Sequence, residues 1–244
     1  MVPHPYKIIA VISLLFLFSC AKKETITNDD IIKLQVSDTS NIRADNNHIL
    51  TITATLPTDA SDDYKSVAFE TTSGTFIDNS QSKLVISINQ DNFATAHLRV
   101  GKQIGNCLIT ATIGSSIKYS AFLNLGFGRA YPDSILVETD VAAISLSGTK
   151  KVNITANLYR NKGEVSLGTQ VFFEAFQSYN NNTVSVGRFS GIQNSFTNDK
   201  GVASIDFYGD TGDILSNNKI MLKIKSQNDF GNPLIKTIFI NVNQ

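Results

Sequence analysis

From Asp30 onward, apolar and polar residues alternate with a period of two. Ile52, Ala54 and Leu56 interleave with Thr51, Thr53 and Thr55; Val152, Ile154, Ala156 and Leu158 interleave with Asn153, Thr155 and Asn157. On an extended backbone this alternation sends every second side chain to one face, so these runs predict half-buried strands. Their threonine and β-branched content suits a pleated surface. Clusters of Asn, Asp, Ser and Gly separate the runs and supply turns. No amphipathic helical period stands out in this region, and the chain reads as all-β.

The pattern also recurs at a spacing of about a hundred residues, the size of one sandwich domain. LTITATL (Leu50–Leu56) matches VNITANL (Val152–Leu158), and VAFETTSGTF (Val67–Phe76) is echoed by VFFEAF (Val171–Phe176) and, after an insertion, by GRF (Gly187–Phe189). QDNFATAHLRVG (Gln90–Gly101) parallels NDKGVASIDFYG (Asn198–Gly209), and FLNL (Phe122–Leu125) parallels FINV (Phe239–Val242). DDIIKL (Asp29–Leu34) and YPDSILV (Tyr131–Val137) each lead into a first strand. The boundary falls in GFGRAYP, Gly126 to Pro132, where two glycines and a proline interrupt the strands. Such a short linker predicts modules set end to end with limited play.

This ordered series, an ITAT-like strand, V-x-F-E/T, G-x-F and then N-D-x-G-x-A-x-I, resembles the group-1 bacterial Ig-like domain of intimin- and invasin-type proteins. The second copy carries it through Phe173-Glu174 and Thr197-Asn198-Asp199-Lys200-Gly201-Val202-Ala203; the first has Asp91-Asn92-Phe93, without the turn glycine. The resemblance implies two tandem Ig-like antiparallel β-sandwiches, residues 30–128 and 131–244, each of about seven strands. Antibody-type domains pin their sheets with a buried Trp and a disulfide. This chain has no Trp, and its cysteines are Cys20 and Cys107. The core is therefore assigned to Phe69, Phe76, Leu98, Ile109 and Phe122, then Phe173, Phe189, Ile205, Phe207, Ile224 and Phe239. Each such side chain contributes about 1.5–3 kcal/mol when buried, so roughly a dozen per module replace a disulfide.

The N-terminus reads differently. Met1 to Lys7 is mildly basic, and Ile8 to Phe18 is apolar apart from Ser13, too short for the ~20 residues of a spanning helix. That is the form of a secretory signal. Leu17-Phe18-Ser19-Cys20 resembles the bacterial lipobox. The resemblance implies a signal peptide over 1–19, acylation of the Cys20 thiol, and a tether over 20–29. Membrane attachment would then come through lipid on Cys20, with several chains holding better than one. A plain signal peptide with an incidental cysteine is the other reading. Ala21 stands where an aspartate favours inner-membrane retention in enterobacterial lipoproteins, so the outer membrane is expected.

Charge narrows the partners. Lys+Arg and Asp+Glu both number 21, and Lys7 lies before Cys20, so the chain from Cys20 carries one net negative charge. Such balance leaves no electrostatic footprint for nucleic acid. With Cys20 acylated no internal disulfide is possible, and Cys107, in an apolar stretch, reads as a small buried hydrophobe. His48 and His97 have no evident nucleophile or carboxylate partner, and no ligand spacing for zinc exists. No catalytic residue, metal site or cofactor is assigned, and an enzyme is the least supported class. Asp59, Asp62 and Asp63, and Asp210 with Asp213, are acidic clusters that either hold calcium or serve as solvated turns.

Binding, if present, is expected at the pole farthest from the anchor, in loops about Thr139–Lys150, Gln177–Ser185 and Gly209–Asn218. The candidate contact residues are Tyr179, Asn180, Asn181, Asn182, Asp210 and Asp213, facing a protein or glycan ligand. Solvated tips are the competing reading. The function expected is surface adhesion or structural spacing by an outer-membrane lipoprotein. The alternative is a carbohydrate-binding accessory lipoprotein of a polysaccharide-uptake system.

Overall fold

Alternating sequence becomes alternating burial in the computed structural model, which describes residues 31–57, 64–115, 117–147, 150–210, 212–216 and 218–243. In ILTITAT, strand β2 (Ile49–Thr55), Leu50, Ile52 and Ala54 are buried while the threonines face outward or sit half-covered. KVNITANLY, strand β11 (Lys151–Tyr159), repeats the pattern with Val152, Ile154, Ala156 and Leu158 inside.

Four sheets form two sandwiches. In the N-terminal one, β1 (Lys33–Val36), β2, β6 (Phe93–Arg99) and β4 (Thr75–Phe76) lie in that order. They face β5 (Lys83–Ser87), β3 (Ser66–Thr71), β7 (Gly105–Ile113) and β8 (Tyr119–Phe127). In the C-terminal one, β14 (Arg188–Phe189), β16 (Val202–Tyr208), β11 and β9 (Ser134–Thr139) make one sheet. The other runs β10 (Ala143–Ser145), β18 (Pro233–Asn243), β17 (Lys219–Gln227), β12 (Gln170–Tyr179), β13 (Asn182–Ser185), with β15 (Asn194–Phe196) also on β12. The ladders are antiparallel except β10 on β18. The chain is thus all-β, built of Ig-like antiparallel sandwiches.

Strand number differs from the expected seven: the described residues hold β1–β8 in one sandwich and β9–β18 in the other. Each sandwich gains a strand after its G-x-F segment, β5 on β3 and β15 on β12; the C-terminal one also has a split first strand, β9 and β10 on opposite sheets, and an insertion after β12 that folds into β13.

The sequence repeats occupy equivalent places. Both G-x-F segments end in a phenylalanine paired with the neighbouring strand, Phe76 opposite Leu98 and Phe189 opposite Phe207. Their glycines have a steric reason. At Gly74 (φ +80°) a Cβ would lie 2.4 Å from the Arg99 carbonyl oxygen, and at Gly187 (φ +67°) 2.4 Å from the Phe207 ring.

Nine of the eleven assigned core residues are buried, and two are not: Phe122 is 63% and Phe239 62% exposed. On β8 the inward phase runs through Ala121, Leu125 and Phe127, and on β18 through Ile240 and Val242, which turns both phenylalanines outward. Cys107 is fully buried, its Sγ 3.1 Å from the Thr71 hydroxyl.

The missing turn glycine of the first repeat is replaced, not lost. Asn89 Oδ1 accepts from the N–H groups of Asp91 (3.1 Å) and Phe93 (3.0 Å), as Asn198 Oδ1 does from Lys200 (2.9 Å) and Val202 (3.1 Å). The fourth residue is left-handed in both, Asn92 at φ 61° and Gly201 at φ 74°. Asn228 builds a third copy between β17 and β18, with Gly231 at φ 78°. Asparagine tolerates this conformation better than other non-glycine residues. Asn92→Gly is therefore expected to keep or slightly raise the melting temperature, and Asn92→Val to cost about 1–2 kcal/mol by denaturant titration.

The sandwiches meet in a polar lock. Ser166, fully buried, donates its hydroxyl to the Ala44 carbonyl (2.7 Å) and accepts from the Ala130 N–H (2.8 Å). Glu164 N–H donates to the Asp45 carbonyl (2.7 Å) and Leu167 N–H to that of Lys102 (3.1 Å). The Glu164 carboxylate takes Lys102 Nζ at 2.7 Å and the Asn46 amide at 2.8 Å. These bonds hold its pKa below the ordinary carboxylate value, the Lys102 hydrogen bond foremost. The linker is gripped as well: the Tyr131 N–H donates to Asp229, which pairs with Arg160 at 3.0 Å, and Arg160 also donates to the Tyr131 carbonyl.

Candidate functional site

Strand β12 leaves the junction at Gln170 and ends at Tyr179, so its far end defines the pole opposite the N-terminal sandwich. There the sequence Tyr179-Asn180-Asn181-Asn182 reverses the chain into β13. Asn180 (φ 48°) and Asn181 (φ 63°) are both left-handed, the geometry of a two-residue type I′ hairpin, and Tyr179 pairs with Asn182. The segment read from sequence as the loop Gln177–Ser185 is thus a strand hairpin with a two-residue turn.

The hairpin is tied to the 209–218 segment. Gln177, 2% exposed, spends its amide on Leu215, accepting from its N–H (2.8 Å) and donating to its carbonyl (3.2 Å). Asn218 donates to the Ser178 carbonyl (3.0 Å), and the Gly209 N–H to the Lys150 carbonyl (2.7 Å), which brings Lys150 to the same pole. Between hairpin and loop lies a cavity of about 250 Å³ lined by Tyr179, Val184, Val186, Leu215, Gln177 and Asp213. Its walls are mostly aliphatic, with the 54% exposed Tyr179 ring at its edge. Asp213 Oδ1 and Oδ2 accept from the Gly187 N–H at 3.2 and 3.1 Å.

Asp210 does not join this cavity. Arg188 grips it bidentately, Nη2 to Oδ2 at 2.7 Å and Nε to Oδ1 at 3.0 Å, and stacks on Tyr208 with its Cζ 4.2 Å from the ring centroid. The Arg188 hydrogen bonds pull the Asp210 pKa below its usual value. Beside them, Asp206 is also held low, by the Asn153 amide and then by Lys151 at 2.9 Å. This patch is charge-compensated. Of the six residues assigned from sequence, the fold therefore gathers Tyr179 and Asp213 on one cavity, sets Asn180 to Asn182 at the exposed tip and sequesters Asp210. Among the described residues no three His, Cys, Asp or Glu side chains converge as a metal-ligand set. Asp59, Asp62, Asp63 and Cys20 lie outside the described residues.

Sequence reasoning missed a second cavity, at the junction end of β12, because its residues come from the linker, four strands and two turns. The one available signal was Phe172 beside Phe173, an aromatic on the outward phase.

No family model matches the sequence, and neither does any curated protein. Solved structures share the fold. The chain is similar to the Yersinia pseudotuberculosis adhesin InvE, with a TM-score of 0.61, 18% identity, and coverage of 88% of this chain and 60% of that one. It is similar to invasin, described as a bacterial integrin-binding protein, with a TM-score of 0.57, 16% identity, and coverage of 86% and 39%. A tetra-tandem repeat from the extending region of a large adhesion protein gives a TM-score of 0.50, 14% identity, and coverage of 87% and 49%. The chain spans 60% or less of the length of these three neighbours. At these identities the likeness is one of fold: Ig-like sandwiches of the kind found in bacterial adhesins.

Proposed function

We propose that this chain is an interaction module of a bacterial cell surface, acting in adhesion or as a spacer that presents its distal pole. In this reading residues 1–19 are a signal peptide, Cys20 carries the lipid anchor to the outer membrane, and 20–29 form the tether. Residues 30–128 then space and 131–244 present. The observation that carries the proposal is the lock around Ser166, since a spacer works only if its sandwiches hold one mutual orientation. The adhesin fold of the neighbouring structures supports the same reading.

Protease applied to intact cells, with a periplasmic protein as lysis control, tests it. External cleavage of the sandwiches is the expected result, together with loss of palmitate labelling in Cys20→Ser. Sandwiches that survive until the envelope is broken would remove adhesion and leave a periplasmic supporting role.

A glycan-binding role at the distal pole is the second reading, favoured by the exposed Tyr179 ring on an aliphatic cavity. Glycan-array binding that disappears in Tyr179→Ala is its signature. Binding to a partner that survives removal of the tip residues 179–182 would refute both uses of that pole.

A further inference from the structure

Where the linker meets the C-terminal sandwich, a cavity of about 310 Å³ opens on the outer face of the sheet containing β12, β17 and β18. Arg129 and Tyr131 enter from the linker, Gln170 and Phe172 from β12, Phe196 from β15, and Gln227 from the end of β17. Pockets for small ligands start at about 300 Å³ and pair apolar walls with a few polar groups.

Charge sets the first requirement. The Arg129 guanidinium donates to neutral acceptors, the Leu167 carbonyl (3.3 Å) and the Thr169 hydroxyl (3.2 Å), which steady it from behind. Among the described residues it has no carboxylate partner, whereas Arg160 and Arg188 each have one. The nearby acids are committed elsewhere, Asp229 to Arg160 and the Tyr131 N–H, and Glu164 to Lys102. An uncompensated guanidinium fork on a cavity wall matches a carboxylate.

Shape sets the second. Phe172 and Phe196 are 46% and 58% exposed, and Phe230, next to the lining Gly231, is 88% exposed. The Gln170 and Gln227 side-chain amides make no hydrogen bond within the described residues, leaving donors and acceptors for hydroxyl groups. The backbone of β12 is already paired on both sides, with β15 and β17, so β12 itself offers no open edge here for a peptide.

We propose that this cavity binds an acidic saccharide, a uronate-bearing glycan. Its carboxylate sits on Arg129, the C–H face of a pyranose ring lies on Phe172 and Phe196, and ring hydroxyls engage the Gln170 and Gln227 amides. The site is independent of the distal pole and of the surface-display reading.

Calorimetry of the full chain with trigalacturonate and with its methyl ester tests the proposal. Trigalacturonate is expected to bind about 10-fold or more tightly than the ester, as befits one charge-assisted pair. Arg129→Gln should erase that preference, and Phe196→Ser should weaken both ligands, with unchanged melting temperatures showing that the variants fold. Absence of trigalacturonate binding would overturn the site, as would equal affinity for the ester or a preference that survives Arg129→Gln. Equal competition by triaspartate would assign the cavity to acidic peptides instead and overturn it too.

Discussion

Phe207→Ala is expected to unfold the C-terminal sandwich at markedly lower denaturant, at a cost of about 3–5 kcal/mol. Phe207 is fully buried and ends a row of rings, 5.3 Å from Phe189, which is 6.4 Å from Phe173. It also pairs with Val152 and fills the space that Gly187 leaves open. With no tryptophan in the chain and no disulfide among the described residues, these rings stand where a pinned pair would be, and truncation leaves a void that the paired strands cannot close. Phe239→Ala is the control: the same deletion on an outward position should stay within about 0.5 kcal/mol. Equal losses in the two variants would show that the assignment of inward and outward phases is wrong.

That pair of phenylalanines also marks how far the sequence could be read. Strand existence and most of the core followed from period-two alternation, because Ile52, Ile154 and their neighbours have polar residues on the opposite phase. FLNL and FINV do not: both phases carry apolar residues, so periodicity cannot choose a face for Phe122 or Phe239. Burial was settled instead by register, Phe122 opposite Thr110 and Phe239 opposite Met221 on the outer surface. The tip of the distal hairpin was legible in principle, since two adjacent asparagines favour left-handed turn positions. The cavities were not. Tyr179 and Asp213, or Arg129 and Phe196, are brought together by strand pairing between distant segments, and no local pattern encodes that. The junction was equally hidden: a buried serine in Val165-Ser166-Leu167 looks like any turn residue until its hydroxyl is seen between Ala44 and Ala130.

Gly163→Ala should break the junction while sparing both cores. Gly163 is left-handed (φ +70°), and an added Cβ would stand 2.6 Å from the Asp45 carbonyl oxygen and 3.0 Å from the Asn47 Cβ, atoms of the other sandwich. The backbone strain alone costs about 1–2 kcal/mol; the clash must also push the sandwiches apart. Gly191→Ala separates the two effects, because Gly191 has φ +80° and nothing within 4 Å of the same Cβ. Small-angle scattering is expected to show a broader range of lengths for Gly163→Ala and an unchanged range for Gly191→Ala. Acid should loosen the same contact. A carboxylate whose pKa is lowered on folding stabilises the folded form above its unfolded pKa, and that contribution fades as pH falls through the lower folded value. For Glu164 the loosening therefore belongs below the ordinary carboxylate range, not near neutrality, and its size is modest because the side chain is 49% exposed. Lys102→Ala should weaken this acid dependence, since the Lys102 hydrogen bond is the foremost cause of the lowered pKa, ahead of the Asn46 amide. Under the proposed spacer reading, reach depends on the fit of Gly163 and the buried Ser166 against the neighbouring backbone, and Gly163→Ala with an unbroadened scattering profile would count against that reading.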